Sequence, residues 1–159
     1  MDIVRNIDKT DKLILACLIE NARMPYTDIA KKLNVSAGTI HGRVKKLEKR
    51  KIITGATLKI NYETVGYMFT AYVGVILGRT IESEKIIEKM TLIPEITVAS
   101  VISGQYGILC KIRSKNTKDA KSIIYKINSI TGVLRTESMI SLEESINDKE
   151  RLFKSIFET

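Results

Sequence analysis

The sequence predicts an α+β protein. An N-terminal helix-turn-helix domain (winged-helix-like) is followed by a C-terminal ferredoxin-like β-α-β-β-α-β domain. Three observations predict this. Apolar residues recur at helical spacing in three short segments before residue 50. The pattern switches to strand alternation at Phe69, in FTAYVGVIL. From there, strand and helix patterns follow one another in the ferredoxin-like order. The expected boundaries are 1–60 for the helical domain, 61–67 (NYETVGY) for a hinge, 68–145 for the mixed domain and 146–159 for a C-terminal helix. A chain of 159 residues holds one full domain or two small ones.

The helical elements come first. Asp8 caps helix one, with Asp11 three residues on as in a capping box. Ile14, Cys17 and Leu18 fall at i, i+3 and i+4 and form its apolar face. Pro25 ends the following loop. Thr27 is expected to cap a short second helix that turns Ile29, Ala30 and Leu33 inward. Asn34-Val35 makes a tight turn. Ser36 caps the third helix, and Ile40, Val44 and Leu47 form its buried stripe. Ile52 to Ile60 reads as extended chain, bent at Gly55.

In the second half, residues 69–77 form a strand with Phe69, Ala71, Val73, Val75 and Leu77 on one face. Residues 83–93 are helical. Residues 96–103 and 108–114 are strands joined by GQYG. Asn116-Thr117 opens a helix with the stripe Ala120, Ile123, Ile124, Ile127 and Ile130. Gly132 breaks it, and residues 133–143 form a long strand. A last helix covers about 148–157, with Leu152, Phe153 and Ile156 on one side.

Charge points to the partner. The net charge is +8, with 26 basic and 18 acidic residues. Residues 1–66 carry 13 basic and 7 acidic side chains, or +6, which leaves +2 for the rest. The front half is where a polyanion is expected to dock.

The third helix shows how. Stepping about 100° per residue from Ile40 puts Val44 and Leu47 near Ile40. Gly38, Gly42, Lys45 and Lys49 then fall roughly opposite, with Lys46 and Thr39 on a flank. Each glycine costs a helix interior about 1 kcal/mol against alanine. Packing does not explain them, because they point away from the core stripe. A helix lying in the major groove of DNA does, because a missing side chain lets its backbone approach base edges closely. Ala37, Gly38, Thr39, His41 and Gly42 are expected to read bases, and the capping Ser36 is counted with them among the DNA-contacting residues. Arg43, Lys45, Lys46 and Lys49 are expected to hold phosphates, and Thr27 offers a phosphate its hydroxyl and backbone N–H.

Other classes fit poorly. There is no P-loop, no GxGxxG, no metal-ligand spacing and no nucleophile with a base partner, so neither catalysis nor a cofactor is expected. The one histidine lies on the basic helix. GQYG joins two strands without basic residues, unlike an RNA-clamping GXXG loop between helices. Two cysteines in apolar runs, a polar start (MDIVRNID) and no apolar stretch near about 18 residues lead to the expectation of a cytoplasmic protein with no membrane partner.

These motifs together resemble the Lrp/AsnC (feast/famine) family. The first part rests on Asp8 and Asp11, Asn21-Ala22-Arg23, Ile29-Ala30 and the run Ser36-x-x-Thr39-Ile40-x-x-Arg43-Val44-x-x-Leu47-Glu48, with Ile53-x-Gly55. The second rests on Gly66-Tyr67, Pro94-Glu95-Ile96, Gly104-Gln105-Tyr106-Gly107 and Gly132-Val133. The resemblance covers about residues 7–144.

The resemblance implies a double-stranded DNA-binding transcriptional regulator whose ferredoxin-like domains pair into a homodimer or higher homo-oligomer. Two helices cover one face of a four-stranded sheet, so the face bearing Tyr72, Ile76 and Leu109 needs a partner. It also implies a small-molecule effector such as an amino acid, bound near Ser103, Gly104, Gln105, Tyr106 and Gly107, with Thr136 as a further candidate. The family usually has an acidic residue where this chain has Gly107. The alternative is an architectural DNA-binding protein without an effector.

Overall fold

Asp8 accepts the Asp11 backbone N–H through its side chain (2.8 Å) and starts helix α1, Lys9–Glu20. The structure is a computed structural model that describes residues 7–78, 83–148 and 151–157. Helix α2 follows as Tyr26–Leu33 and α3 as Ala37–Lys49. Thr27 does not cap α2. The cap is Pro25, whose fixed φ of −58° suits a helix start and whose carbonyl accepts from Asp28 and Ile29. Thr27 sits one residue inside the first turn.

The turn between α2 and α3 is tight because Asn34 adopts the left-handed conformation (φ 52°). Its N–H and that of Val35 then satisfy the last carbonyls of α2. Ile14, Ile29, Ala30, Ile40 and Val44 form one buried cluster, with Leu15 and Leu47 also buried. Ile53 folds back onto the cluster after α3. Residues 54–61 carry no ladder pairing, so no wing strand forms among the described residues.

In the second half, β1 is Phe69–Leu77, α4 is Ser83–Met90, β2 is Ile96–Val101 and β3 is Ile108–Ser114. Helix α5 is Thr117–Asn128, capped by the Asn116 side chain, and β4 is Val133–Ile140. The sheet order is β2-β3-β1-β4, with every neighbouring pair antiparallel. This is the β-α-β-β-α-β plan. Ala71, Val73, Val75, Ile108, Cys110 and Ile112 alternate onto one face and pack under α4 and α5. Burial pushes the Cys110 thiol up to about 11, so we expect this thiol to stay unreactive toward disulfide reagents until the domain unfolds, a point that thiol titration checks.

The chain divides into two units, Met1–Lys59 with Ile146–Thr159, and Ile60–Ser145. The described C-terminal helix α6, Arg151–Phe157, packs with α1 and so belongs to the first unit. The expected start of that helix at Asp148 falls beside residues 149–150, which lie outside the described residues.

Candidate nucleic-acid interface and effector loop

Helix α3 separates two faces. Ile40, Val44 and Leu47 are buried, whereas Gly38, Thr39, His41, Gly42, Lys45, Lys46 and Lys49 are exposed. A Cβ added at Gly42 would meet nothing within 4 Å, and one at Gly38 only Ser36 Oγ at 3.7 Å. No internal packing therefore requires either glycine. The Ser36 hydroxyl accepts the Thr39 N–H (3.1 Å) and lies 2.9 Å from the Thr39 hydroxyl, so the cap and the first exposed side chain form one unit. The ring of His41 faces Tyr26 of α2 with centroids 6.0 Å apart.

Two of the residues expected to contact DNA have partners within the first unit. Ala37 lies on the same helical stripe as Ile40 and Val44, three and seven residues back, and packs partly buried against the core cluster. Its methyl is thus turned from the outward face. Arg43 stands beside the inward stripe and is ion-paired within the first unit. Its Nη1 donates to Asp8 (2.6 Å) and Asp11 (2.8 Å), which ties α3 to the start of α1. The Arg43 guanidinium, with help from the Asp11 backbone N–H, holds the Asp8 carboxyl below the usual range. Sequence reading assigned Asp11 to a capping box. Its carboxylate instead belongs to this pair. Thr27 is exposed near the start of α2, away from any capping bond.

The second unit holds the expected effector loop. Gly104 takes φ 121°, which favours glycine, and turns the chain between β2 and β3. Tyr106 lies across the sheet face that the helices leave open. A Cβ at Gly74 would come within 2.6 Å of its ring, so glycine is needed there. The Tyr106 hydroxyl donates to Glu137 of β4 (2.7 Å), and the Gln105 amide donates to the same oxygen (3.3 Å). Arg135 holds the other oxygen of Glu137 at 2.9 Å. The bond to Glu137 raises the Tyr106 pKa above its ordinary value.

Ser103 is exposed at the start of the turn. Gly107 sits against Leu77, whose Cδ1 would lie 2.7 Å from an added Cβ. The space of a side chain at 107 is therefore taken. Thr136 does not join this group. It pairs with Val75 and shares the helix-covered face, whereas Glu137 pairs with Gly74 on the open face. Glu137, which sequence reading did not name, is the β4 residue that meets the loop. Strand alternation assigns 135 and 137 to one face, but only the β1–β4 register shows which face that is.

The open face is not uniformly apolar. Lys111 and Arg113 of β3 are each only 12% exposed there and both pair with Glu144, which follows β4. Arg113 also stacks on the Tyr62 ring (4.6 Å) and donates to Thr70 (3.2 Å). Lys111, and then Arg113, hold the Glu144 carboxyl below its usual range. Tyr72, Ile76 and Leu109 remain half-buried between the two polar clusters.

Comparison with known proteins agrees with both halves. Residues 7–48 match the AsnC-type helix-turn-helix domain, and residues 70–150 match the Lrp/AsnC ligand binding domain. An HTH-type transcriptional regulator of Pyrococcus furiosus is 39% identical over 139 residues, covering 86% of this chain and 92% of that protein. The regulatory protein AsnC of Haemophilus influenzae is 35% identical over 144 residues, covering 90% and 96%. The structure of E. coli AsnC superposes with a TM-score of 0.84 at 32% identity, over 89% of this chain and 95% of that one. A feast or famine regulatory protein of M. tuberculosis, solved with L-methionine, has the same fold at TM-score 0.83 and 22% identity, over 90% and 97%. No described helix is long and apolar enough to cross a membrane. With both domains matched in order along nearly the whole chain, the protein belongs to the Lrp/AsnC family and is a DNA-binding transcriptional regulator.

Proposed function

We propose that the protein works in the cytoplasm as a homodimer or larger homo-oligomer and lays α3 in the major groove of duplex DNA. The reading rests on one observation above the others: a glycine pair on the exposed face of α3, with open space at Gly42 and exposed lysines around it. Thr39, His41 and the backbone at Gly38 and Gly42 meet base edges. Lys45, Lys46 and Lys49 meet phosphates, which position the helix without specifying sequence. Pairing two readers gives spaced half-sites, and the open sheet face supplies the surface for pairing.

An amino-acid-like effector acts at the second unit. The solved relative with L-methionine supports that class. The loop 103–107 is its expected seat, with Glu137 now part of the group. An effector that alters DNA affinity separates this reading from an architectural protein.

The test is binding to duplex DNA from upstream of the protein's own gene, against scrambled duplex, at two salt concentrations. Preference for the native fragment supports the reading. Equal, salt-sensitive binding to both leaves only an electrostatic patch. Lys45→Ala or Lys46→Ala is expected to weaken binding similarly on every sequence and to lower the salt slope by about one. Unchanged affinity in both variants removes the phosphate role.

A further inference from the structure

The chain passes between the two units twice, from Lys59 to Ile60 and from Ser145 to Ile146. Each passage is mostly bare. Residues 54–66 are exposed throughout, and from Leu142 to Asn147 only Glu144 is not. An exposed segment with few contacts opens easily unless something ties it down. One strand ties both. On β3, Arg113 stacks on the Tyr62 ring of the incoming segment (4.6 Å), and its Nη1 donates to Thr70 Oγ1 at the start of β1 (3.2 Å). Its Nη2 donates to Glu144 Oε2 of the outgoing segment (2.6 Å). Lys111 donates to the second oxygen of the same carboxylate, Oε1.

The three charges need one another. Lys111 and Arg113 stand two residues apart on the strand and so share its open face, and each side chain is only 12% exposed. Two part-buried cations side by side repel unless an anion joins them. The Glu144 carboxylate gives one oxygen to each. The bond to Glu144 also restrains the Arg113 side chain, whose planar fork then presents a fixed face to the Tyr62 ring. Without the carboxylate, Arg113 is drawn to solvent and the ring loses its cation. Beyond these contacts each segment has a second hold in the first unit. Ile53 packs on the core cluster there, and α6 packs with α1.

We propose that Lys111, Arg113 and Glu144 form a clasp that couples the two crossings, so that neither loosens without the other. Whatever draws Glu144 off β3 then frees the incoming segment as well, and the first unit is reached along both of its connections at once. A molecule docking on the open sheet face meets the clasp directly, because Lys111 and Arg113 stand on that face. The clasp rests on contacts within the second unit alone. It depends on neither the DNA-binding reading nor the identity of an effector.

The experiment is hydrogen exchange of the backbone amides in the full chain, with neither DNA nor ligand added. Two amides report on the crossings. Tyr67 donates to the Tyr62 carbonyl (2.8 Å) in the incoming segment, and Ser141 donates to the Thr70 carbonyl (3.0 Å) where the outgoing one begins. Glu144→Ala is expected to speed exchange at Tyr67 about threefold or more, although Glu144 bonds to nothing in that segment, as coupling within one network requires. Tyr62→Ala is expected to speed exchange at Ser141 by a similar factor, since coupling is reciprocal. Amides inside β3 are expected to keep their wild-type rates in both variants. Should Glu144→Ala speed exchange across the whole sheet, Tyr62→Ala decides, because it removes a ring from an exposed segment and breaks no ion pair. A wild-type rate at Ser141 in Tyr62→Ala, or at Tyr67 in Glu144→Ala, overturns the proposal. The strand would then hold two segments by separate ties.

Discussion

Gly42→Leu is expected to abolish sequence-specific DNA binding while the protein stays folded. The position is exposed on α3, and an added Cβ meets nothing within 4 Å. A leucine there thus finds room in the free protein. In the major groove it would hold the helix backbone away from the base edges by the width of a side chain. Phosphate contacts from the surrounding lysines survive, so the variant should fall to its non-specific level, a loss of about 100-fold or more on the preferred site. Gly42→Ala gives the companion measurement. Alanine is the better helix former, so urea unfolding should show a gain of about 1 kcal/mol. A gain in stability with a loss of binding would show that this glycine is kept for the partner and not for the fold. Normal binding by Gly42→Leu would falsify the close-approach role of this face.

Local signals carried much of the fold. Strands β1 and β3 begin and end where their alternation does, at 69–77 and 108–114. The Ser36 cap and the inward stripe of α3 follow from residue type and the helical period alone. The candidate interface was legible for the same reason, because a helix face is a local property. What escaped depends on chain segments far apart. Arg43 meets Asp8 and Asp11 across 35 and 32 residues. A basic residue within a basic run gives no sign of which neighbour will claim it. Glu137 was missed and Thr136 chosen because a one-residue step in a strand reverses its face, and the face is set by pairing with β1. The C-terminal helix joined the first unit through α1, although it follows the second in sequence. Thr27 lost its capping role to Pro25, which supplies the φ of a helix start without a side-chain acceptor.

Arg43→Met is expected to destabilise the first unit by about 1–2 kcal/mol. Most of this comes from Asp11, whose side chain is 13% exposed and is left partly buried without its cation. Asp8 adds less, because it is 54% exposed and solvent screens it. Acid should reveal the pair. The Asp8 carboxyl titrates below its ordinary value of 3.8, first because Arg43 donates to it and then because the Asp11 N–H does. A lowered folded-state value means stability that is present above 3.8 and lost as pH falls through the folded value. Arg43 itself stays charged throughout, so the pH-dependent loss belongs to the Asp8 carboxylate. The stability gap between wild type and Arg43→Met should therefore be widest near neutral pH and should narrow in acid below 3.8. Urea unfolding across that range measures it, and a gap that ignores pH would remove the ion pair as its cause. The same variant settles the residue's place at the interface. If Arg43 is committed to α1, the salt slope of DNA binding stays at the wild-type value in Arg43→Met, measured where the variant is folded. A slope reduced by about one, as expected for Lys45→Ala, would return Arg43 to the phosphate contacts.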